Sequence, residues 1–222
     1  MSEQHPLQRF GEYLNKSSAE EIRQMADDTR QLISYYRCAM WEIETKFRVL
    51  DELLSLNQSG CRIQALQSRI KTMPSIHEKL LRRGQPFTLQ SIEENLFDIA
   101  GVRVICSFVD DIYLLADGLL KQDDVRLIEK KDYIQFPKDS GYRSLHLIIE
   151  IPIFLFNEKR PTKVEVQLRT IAMESWANLE HHLRYKKQLL PETKAVMDEE
   201  LLECALLSHE LDRKMQRLRN ML

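Results

Sequence analysis

Apolar residues of this 222-residue chain recur in three different patterns, which divide it into three regions. From about Ser17 to Leu56 they recur every three or four residues, the spacing of an α-helix. Ser17 and Glu20 have the spacing of a capping box at the start of this helix. The NQSG segment that follows is typical of a turn. We therefore predict a helical N-terminal extension over residues 1–60.

The middle region, residues 61–187, mixes strand and helix patterns. Five segments predict strands: RIQALQSRIK, VRVICSF, VRLIEKK, SLHLIIEI and KVEVQLR. PSIHEKLLRR predicts a short helix, because proline opens it and Gly84 follows it, and DDIYLLADGLLKQ predicts another. This order indicates an α+β fold, in which helices flank one mixed β-sheet of about five strands.

The last region is helical again from Thr170 onward. From Met197 to Leu222 the apolar positions alternate at spacings of four and three, with only Ser208 out of place, which suits helix-on-helix packing. Two interpretations stay open for residues 188–222. The end helix lies on its own domain, or it forms a contact between subunits.

Composition narrows the functional classes. The net charge of −2 requires that any site for a polyanion be local. The four cysteines are far apart and form no C-x-x-C pair, which favours neither a zinc site nor a disulfide framework. The chain has no apolar signal segment at its start and no stretch near the roughly 18 apolar residues of a membrane span. We expect a cytoplasmic protein without membrane contact.

A local excess of positive charge lies in residues 62–83, where six lysines and arginines face a single acid. Arg69 and Lys71 alternate along a predicted strand, so both project from one face. Ser75 and Lys79 share a face of the next helix, whose N-terminus favours phosphate. The cluster is compatible with a polyphosphate pocket and also with a solvated basic face.

Two acidic residues lie on or directly before predicted strands. In KVEVQLR, one face is apolar and Glu165 lies on the other, and His146 shares its face if SLHLIIE pairs with this strand. Asp98 lies just ahead of the strand that contains Arg103. A carboxylate at the start of one strand together with a second carboxylate on another strand is typical of Mg²⁺ sites in phosphoryl transfer. The alternative for Asp98 is a surface pair with an arginine.

The loop FPKDSGYRSLH, residues 136–146, combines several binding groups. Lys138 and Arg143 can donate to phosphate, Gly141 permits a tight turn, and Tyr142 offers a ring that can stack on a base or lie half-buried in the core. Together with the two acids, these residues point to nucleotide phosphoryl or pyrophosphoryl transfer. They leave kinase-like, nucleotidyl-transferring and purely binding versions open.

Four segments in this order resemble the synthetase domain of the RelA/SpoT family: SRIKTMPSIHEKLLRR, DIAGVRVICSF, KKDYIQFPKDSGYRSLHL and VEVQLRTIAMESWANLEHHLRYK. The chain lacks the His-Asp dipeptide of the family's hydrolase half and is shorter than the long members, so it resembles a small alarmone synthetase of the RelP branch. The resemblance implies a nucleotidyltransferase-like sheet. It implies transfer of the β,γ-pyrophosphate of ATP to the 3′-hydroxyl of GDP or GTP, which yields ppGpp or pppGpp and AMP in the stringent response.

The resemblance also implies roles for individual residues. Those for ATP are Arg69, Lys71, Ser75, Lys79, Arg82 and Arg103, of which the first and last would sandwich the adenine. Those for the guanine nucleotide are Lys131, Lys138, Tyr142, His146, Gln167 and Glu180. Asp98 would bind the Mg²⁺ cofactor, and Glu165 would be the general base, a second metal ligand or both. Tyr142 would stack on the guanine.

Assembly and further partners are implied less directly. Small synthetases of this type resemble homotetramers built through their terminal helices, and the apolar pattern from Met197 is compatible with that. Nothing in the sequence indicates RNA binding. Glu174 receives no role, because some relatives carry asparagine at this position.

Overall fold

The computed structural model describes residues 19–57, 62–184 and 190–221. The elements follow one another as α1 (Ala19–Asn57), β1 (Ile63–Ile70), α2 (Met73–Arg82), α3 (Leu89–Asn95), β2 (Ala100–Cys106), α4 (Val109–Leu120), β3 (Arg126–Asp132), β4 (Leu145–Phe154), β5 (Lys159–Thr170), α5 (Ile171–Arg184) and α6 (Pro191–Arg219). Ser17, the first residue of the predicted capping box, lies outside the described residues, as does Leu222.

The five strands form one mixed sheet in the order β1-β2-β5-β4-β3. β2 and β5 run parallel, and the other neighbouring strands run antiparallel. The predicted fold class, a mixed sheet of five strands with flanking helices, is confirmed. Helix α3 was not predicted from the sequence, because its seven residues are too few to show a helical period. Its start is fixed locally, because the Thr88 side chain accepts a hydrogen bond from the backbone N–H of Ser91.

The two faces of the sheet differ in chemistry because side chains alternate along each strand. On one face of β5, Val164, Val166 and Leu168 are fully buried. The long helix α1 covers this face, and its residues Ile43 and Phe47 are also fully buried there. Full burial of each such side chain stabilises the fold by about 1.5–3 kcal/mol. The opposite face of β5 therefore remains available for polar residues.

The middle of α6 packs on its own chain beside the polar face of the sheet. Leu201 and Ala205 are buried against Trp176 of α5, whose indole N–H donates to the Leu201 carbonyl at 2.8 Å. Tyr142 packs against the same cluster. This part of α6 follows the interpretation in which the end helix lies on its own domain.

The buried row of α6 differs from the predicted apolar one. It runs through Leu201, Ala205 and Asp212, whereas Leu211 and Met215, which the sequence pattern placed in the seam, are about half exposed. The buried row includes a polar residue, because Asp212 accepts a hydrogen bond from the Thr170 hydroxyl at the end of β5 and so has a partner where it is buried. Among the described residues, no helix is long and apolar enough to cross a membrane.

Candidate active site

A row of polar side chains crosses all five strands on the face away from α1. In this row, which the strand register defines, the neighbours are Gln67, Arg103, Gln167, His146 and Lys131. One step along the strands, Arg69, Gly101 and Glu165 form a second row. Residues that are paired across two neighbouring strands point to the same face of the sheet. In the register of β4 and β5, Glu165 and His146 therefore lie on the same face, as the sequence predicted.

An open depression of about 130 Å³ lies over β1, β2 and β5. Arg69 and Arg103 are among its lining residues, together with Glu165 and Gln167. Gly101 lies between Arg69 and Glu165 in the register and carries no side chain that could fill the space. Four of the predicted site residues thus meet in one place although they come from three strands.

Asp98 lies just before β2 and is paired with two lysines instead of an arginine. Lys71 Nζ donates to Asp98 Oδ2 at 3.0 Å, and Lys79 Nζ donates to the same oxygen at 2.6 Å. Burial alone would raise the pKa of Asp98, but the hydrogen bonds and the positive charges of Lys79 and Lys71 together outweigh burial and lower it. Asp98 Oδ1 is buried and accepts no hydrogen bond. Two cations on one carboxylate leave a net positive charge at the edge of the sheet.

The basic helix α2 carries the other predicted phosphate ligands. No side chain caps the N-terminus of this helix. The hydroxyl of the N-cap residue, Thr72, donates to Ser75 Oγ at 3.0 Å and accepts from no backbone N–H. Ser75 lies one turn before Lys79 on the same face. Lys71 follows directly after β1, and its backbone N–H bonds to the Ile99 carbonyl, which fixes it beside Asp98. Arg82 is exposed at the last residue of the helix.

Aromatic and basic side chains cluster around Tyr142. Its ring lies near those of His146 and Tyr133, with centroids 5.9 and 6.0 Å away. Lys138 Nζ is 4.8 Å from the ring centroids of both Tyr133 and Tyr142. Arg169 is also close, with Cζ 5.1 Å from the Tyr142 centroid. The half-buried ring is therefore surrounded by cations, an environment suited to an anionic ligand.

Gly141 is required by the shape of this loop. Its φ of 85° lies in the left-handed region, which residues with a side chain rarely adopt. A Cβ atom here would also lie 2.5 Å from the Cβ of Ala205 on α6. The turn before Tyr142 is thereby held against the C-terminal helix.

Hydrogen bonds connect His146 to Tyr142 and, through it, to Arg169. Arg169 donates to the Tyr142 hydroxyl at 2.6 Å, and the same hydroxyl is hydrogen-bonded to His146 Nε2 at 2.9 Å. His146 Nδ1 lies 3.7 Å from Glu165 Oε1. Burial, and after it nearby cations, lower the pKa of His146 to about 3. These cations are Arg169, Lys138, Lys131 and Arg103.

Glu174 and Arg169 join the site although the sequence analysis gave neither a role. Glu174 is buried on the first turn of α5, and it accepts from Arg103 at 2.9 Å and from Arg169 at 2.6 Å. Gln167 accepts from the same two arginines, at 3.4 and 3.2 Å, and donates to Glu165 at 3.0 Å. The available signal was the position of Arg169 on the polar face of β5, five residues before an acid that opens a helix.

Two predicted guanine-nucleotide residues lie apart from this network. Glu180 forms an ion pair with Arg184 at 2.8 Å, and Arg184 also pairs with Asp198 of α6 at 2.6 Å, so these residues join two helices. Lys131 is about half exposed at the edge of the sheet, 3.1 Å from Glu129. Lys131 continues the polar row, whereas Glu180 does not line the depression.

The part of the chain that contains these site residues matches known proteins. Residues 68–189 match the family described as the region found in RelA / SpoT proteins. The GTP pyrophosphokinase YwaC of Bacillus subtilis (strain 168) is 40% identical over 202 residues, which are 91% of this chain and 95% of that protein. The matched family region begins on β1 and includes every residue placed in the depression except Gln67.

Solved structures are similar over nearly their full length. The crystal structure of the small alarmone synthetase 2 from Bacillus subtilis has a TM-score of 0.76 and 40% identity, and the match covers 86% of this chain and 98% of that one. The small alarmone synthetase 1 from the same organism, bound to its product pppGpp, has a TM-score of 0.78 and 33% identity, with 88% and 98% covered.

Proposed function

The chain belongs to the RelA/SpoT family, and we propose that it is a small alarmone synthetase that transfers the β,γ-pyrophosphate of ATP to the 3′-hydroxyl of GDP or GTP. The observation that carries this proposal is the pair of adjacent polar rows on one face of the sheet, which brings Arg69, Arg103 and Glu165 into one depression. A relative at 40% identity is a GTP pyrophosphokinase, and a similar structure holds pppGpp as its product. We assign the catalytic core to residues 61–187, between the two helical extensions.

The ATP side of the site is formed by the arginines of the depression and the lysines near Asp98. Arg103 is held at its Nη atoms by Glu174 and Gln167, which leaves the faces of its guanidinium open. Such a plane stacks well on a base, so Arg69 and Arg103 can enclose the adenine. Ser75, Lys71, Lys79 and Arg82 would meet the phosphates; the two ammoniums that now pair with Asp98 carry one more charge than it neutralises.

The acceptor side is formed around Tyr142. Stacking of the guanine requires that a face of the ring become free. Lys138 lies on an exposed loop and can move toward the acceptor's phosphates, whereas Arg169 is buried and stays in place. Lys131, His146 and Gln167 continue the row beneath this position, and Glu180 would approach from α5. The cations around the ring favour the polyphosphate of GDP or GTP.

The reaction exchanges one bond to phosphorus for another. The 3′-oxygen of the acceptor forms a bond to the β-phosphorus of ATP, the bond from that phosphorus to the oxygen shared with the α-phosphate breaks, and AMP leaves with that oxygen. Glu165 takes the proton of the 3′-hydroxyl, and a positioned base of this kind contributes about 10²–10⁴-fold to the rate. Gln167 orients this carboxylate through its hydrogen bond to Oε2.

The residues near the phosphates fit a Mg²⁺ ion. Asp98 Oδ1 is buried without a partner while Oδ2 holds both lysines, so one carboxylate oxygen is available. Glu165 supplies a second carboxylate on the neighbouring strand. Within residues 19–57, 62–184 and 190–221, no group of three or more Asp, Glu, His or Cys side chains could hold a metal ion by itself. This suits a Mg²⁺ ion whose remaining ligands are phosphate oxygens and water. When bound, Mg²⁺ would neutralise charge that develops on the transferred pyrophosphate.

We further propose a cytoplasmic homotetramer. Both substrates are intracellular nucleotides, and the cysteines of the described part, Cys38, Cys106 and Cys204, are free thiols. The exposed apolar residues of α6, including Leu211 and Met215, offer a surface for a second copy. Sedimentation at micromolar concentration should give a tetramer, and a monomer would contradict this part of the proposal.

The proposed chemistry is tested by variants of the two acids. Purified protein with ATP, Mg²⁺ and GDP should form AMP and a guanosine nucleotide with a 3′-pyrophosphate, separated by anion-exchange chromatography. Asp98→Ala and Glu165→Gln should both abolish most of the product while GDP still binds. Undiminished product from either variant would overturn the assigned roles.

A further inference from the structure

We infer that Glu174 is a positioning residue, which holds Arg103 and Arg169 with one carboxylate and so ties the ATP side of the site to the guanine side. The meaning of the two sides rests on the proposed function. The contacts themselves do not depend on it.

Glu174 is placed for this role by the junction of β5 and α5. Thr170 ends the strand, Ile171 begins the helix, and Glu174 lies on the first turn, where a negative charge is favoured. It is only 8% exposed. Burial of a carboxylate is costly unless it is compensated by charged donors, so its partners are part of the fold at this point.

The two oxygens of Glu174 serve different arginines. Oε1 accepts from Arg103 Nη1 at 2.9 Å and from Asn178 Nδ2 at 3.1 Å. Oε2 accepts from Arg169 Nη1 at 2.6 Å. Charge-assisted bonds of this length are among the stronger ones in proteins, so a change at this single side chain acts on both guanidiniums.

The two arginines that Glu174 holds contact different parts of the site. Arg103 lines the depression, where its open faces suit the adenine. Arg169 is buried, and its Nη2 donates to the hydroxyl of Tyr142, the ring proposed for the guanine. Glu174 therefore lies between the two base-binding groups without lining the depression itself.

A glutamine at position 174 would keep the shape but lose this function. Its amide has one oxygen, which can accept from one arginine, and one nitrogen, which would point a donor at the other. One guanidinium would lose its acceptor and both would shift. An aspartate would keep the charge but is shorter by one methylene, so it should restore the contacts only in part.

The matched control is Glu150→Gln. Glu150 is partly exposed on β4 and accepts from Arg126 at 2.6 and 3.1 Å, so the same substitution removes a Glu–Arg pair away from the depression. It tests whether loss of any such pair has the same effect.

Steady-state kinetics with ATP and GDP give the first readout. Glu174→Gln should raise KM for ATP and KM for GDP together, each by about tenfold, the range expected for coupled charged groups, with a smaller fall in kcat. Glu174→Asp should give values between those of the wild type and Glu174→Gln, and Glu150→Gln should match the wild type. A rise in only one KM, or equal effects of Glu174→Gln and Glu150→Gln, would overturn the inference.

The second readout needs no turnover and therefore separates this inference from the proposed function. In the wild type, NMR should show slowly exchanging guanidinium protons that disappear in Arg103→Lys and Arg169→Lys, which assigns them. Both signals should be lost in Glu174→Gln, weakened in Glu174→Asp and kept in Glu150→Gln. If a folded Glu174→Gln or Glu174→Asp keeps both signals at full strength, the positioning role is wrong, whether or not the wild type makes AMP. If both are lost while the wild type makes no AMP, the positioning role stands and the proposed function fails.

Discussion

Replacement of Asp212 by asparagine should stabilise the protein, and the gain should grow as the pH rises. Burial raises the pKa of Asp212 to about 6, and this effect exceeds the opposing ones of the Thr170 hydroxyl, which donates at 2.8 Å, and of the Arg143 charge. Asp212 is only 7% exposed on α6. An asparagine can still accept from Thr170, but it carries no charge to bury.

The magnitude follows from the two ends of the titration. Below the ordinary pKa of 3.8, Asp212 is protonated in the folded and the unfolded state. Between 3.8 and about 6 the unfolded chain releases the proton and the folded one keeps it, so stability falls as the pH rises. The full loss, complete above the folded pKa, is about 3 kcal/mol at 1.36 kcal/mol per pH unit. About 1.6 kcal/mol of it is already lost at pH 5, so about 1.4 kcal/mol remains to be lost by pH 8.

The assay is urea unfolding of the wild type and Asp212→Asn at pH 5 and pH 8, followed by the fluorescence of the buried Trp176. The difference in unfolding free energy should favour the variant and increase by about 1.4 kcal/mol between the two pH values, with unchanged dependence on urea. Glu210→Gln is the control, because this exposed carboxylate lies on the same helix and faces surface cations. A constant difference between Asp212→Asn and the wild type, or one that shrinks as the pH rises, would show that burial does not raise the pKa of Asp212.

Three further predictions concern catalysis, recognition and packing. Glu165→Gln should lower kcat by about 10²–10⁴-fold with little change in KM, and a large rise in KM with normal kcat would contradict its role as base. Tyr142→Ala should weaken GDP binding in calorimetry by about 1–3 kcal/mol and leave ATP binding nearly unchanged, whereas an equal loss for both nucleotides would speak against stacking on guanine. Leu201→Ala should destabilise the fold by about 2–4 kcal/mol in urea unfolding, because it removes a side chain buried against Trp176; a change below about 0.5 kcal/mol would show that α6 does not pack there.

Local patterns were sufficient for the strands and for the face on which each polar residue lies. The alternation in KVEVQLR placed Glu165 opposite a buried row, and the structure confirms that it shares a face with His146. Such predictions succeed because the two-residue period of a strand depends only on neighbouring residues.

The contacts of the site required information that neighbouring residues do not carry. Arg103 meets Gln167 because β2 and β5 run side by side in parallel, although 63 residues separate these two positions in the numbering. The lysine partners of Asp98 likewise depend on the pairing of β1 with β2, whereas the alternative that the sequence left open was a surface pair with an arginine. Glu174 was assigned no role because some relatives carry asparagine at this position, and its partners, which lie on two strands, could not be identified from neighbouring residues.

The buried face of α6 was also not predicted from the sequence. The four–three pattern of α6 predicted an apolar seam, but the buried row contains Asp212, because Thr170 offers a hydrogen bond at that point. A hydropathy pattern cannot identify a buried polar anchor, which is determined by the strand end that the helix meets.

The proposed pyrophosphate transfer can be observed directly by ³¹P NMR of the products that the wild-type protein forms from ATP, Mg²⁺ and GDP. We expect AMP and a guanosine nucleotide with a new pair of coupled resonances from a 3′-pyrophosphate, and no transfer to 3′-deoxyguanosine diphosphate. Release of free pyrophosphate, formation of ADP with transfer of a single phosphate, or product formation from the 3′-deoxy acceptor would contradict the proposed transfer.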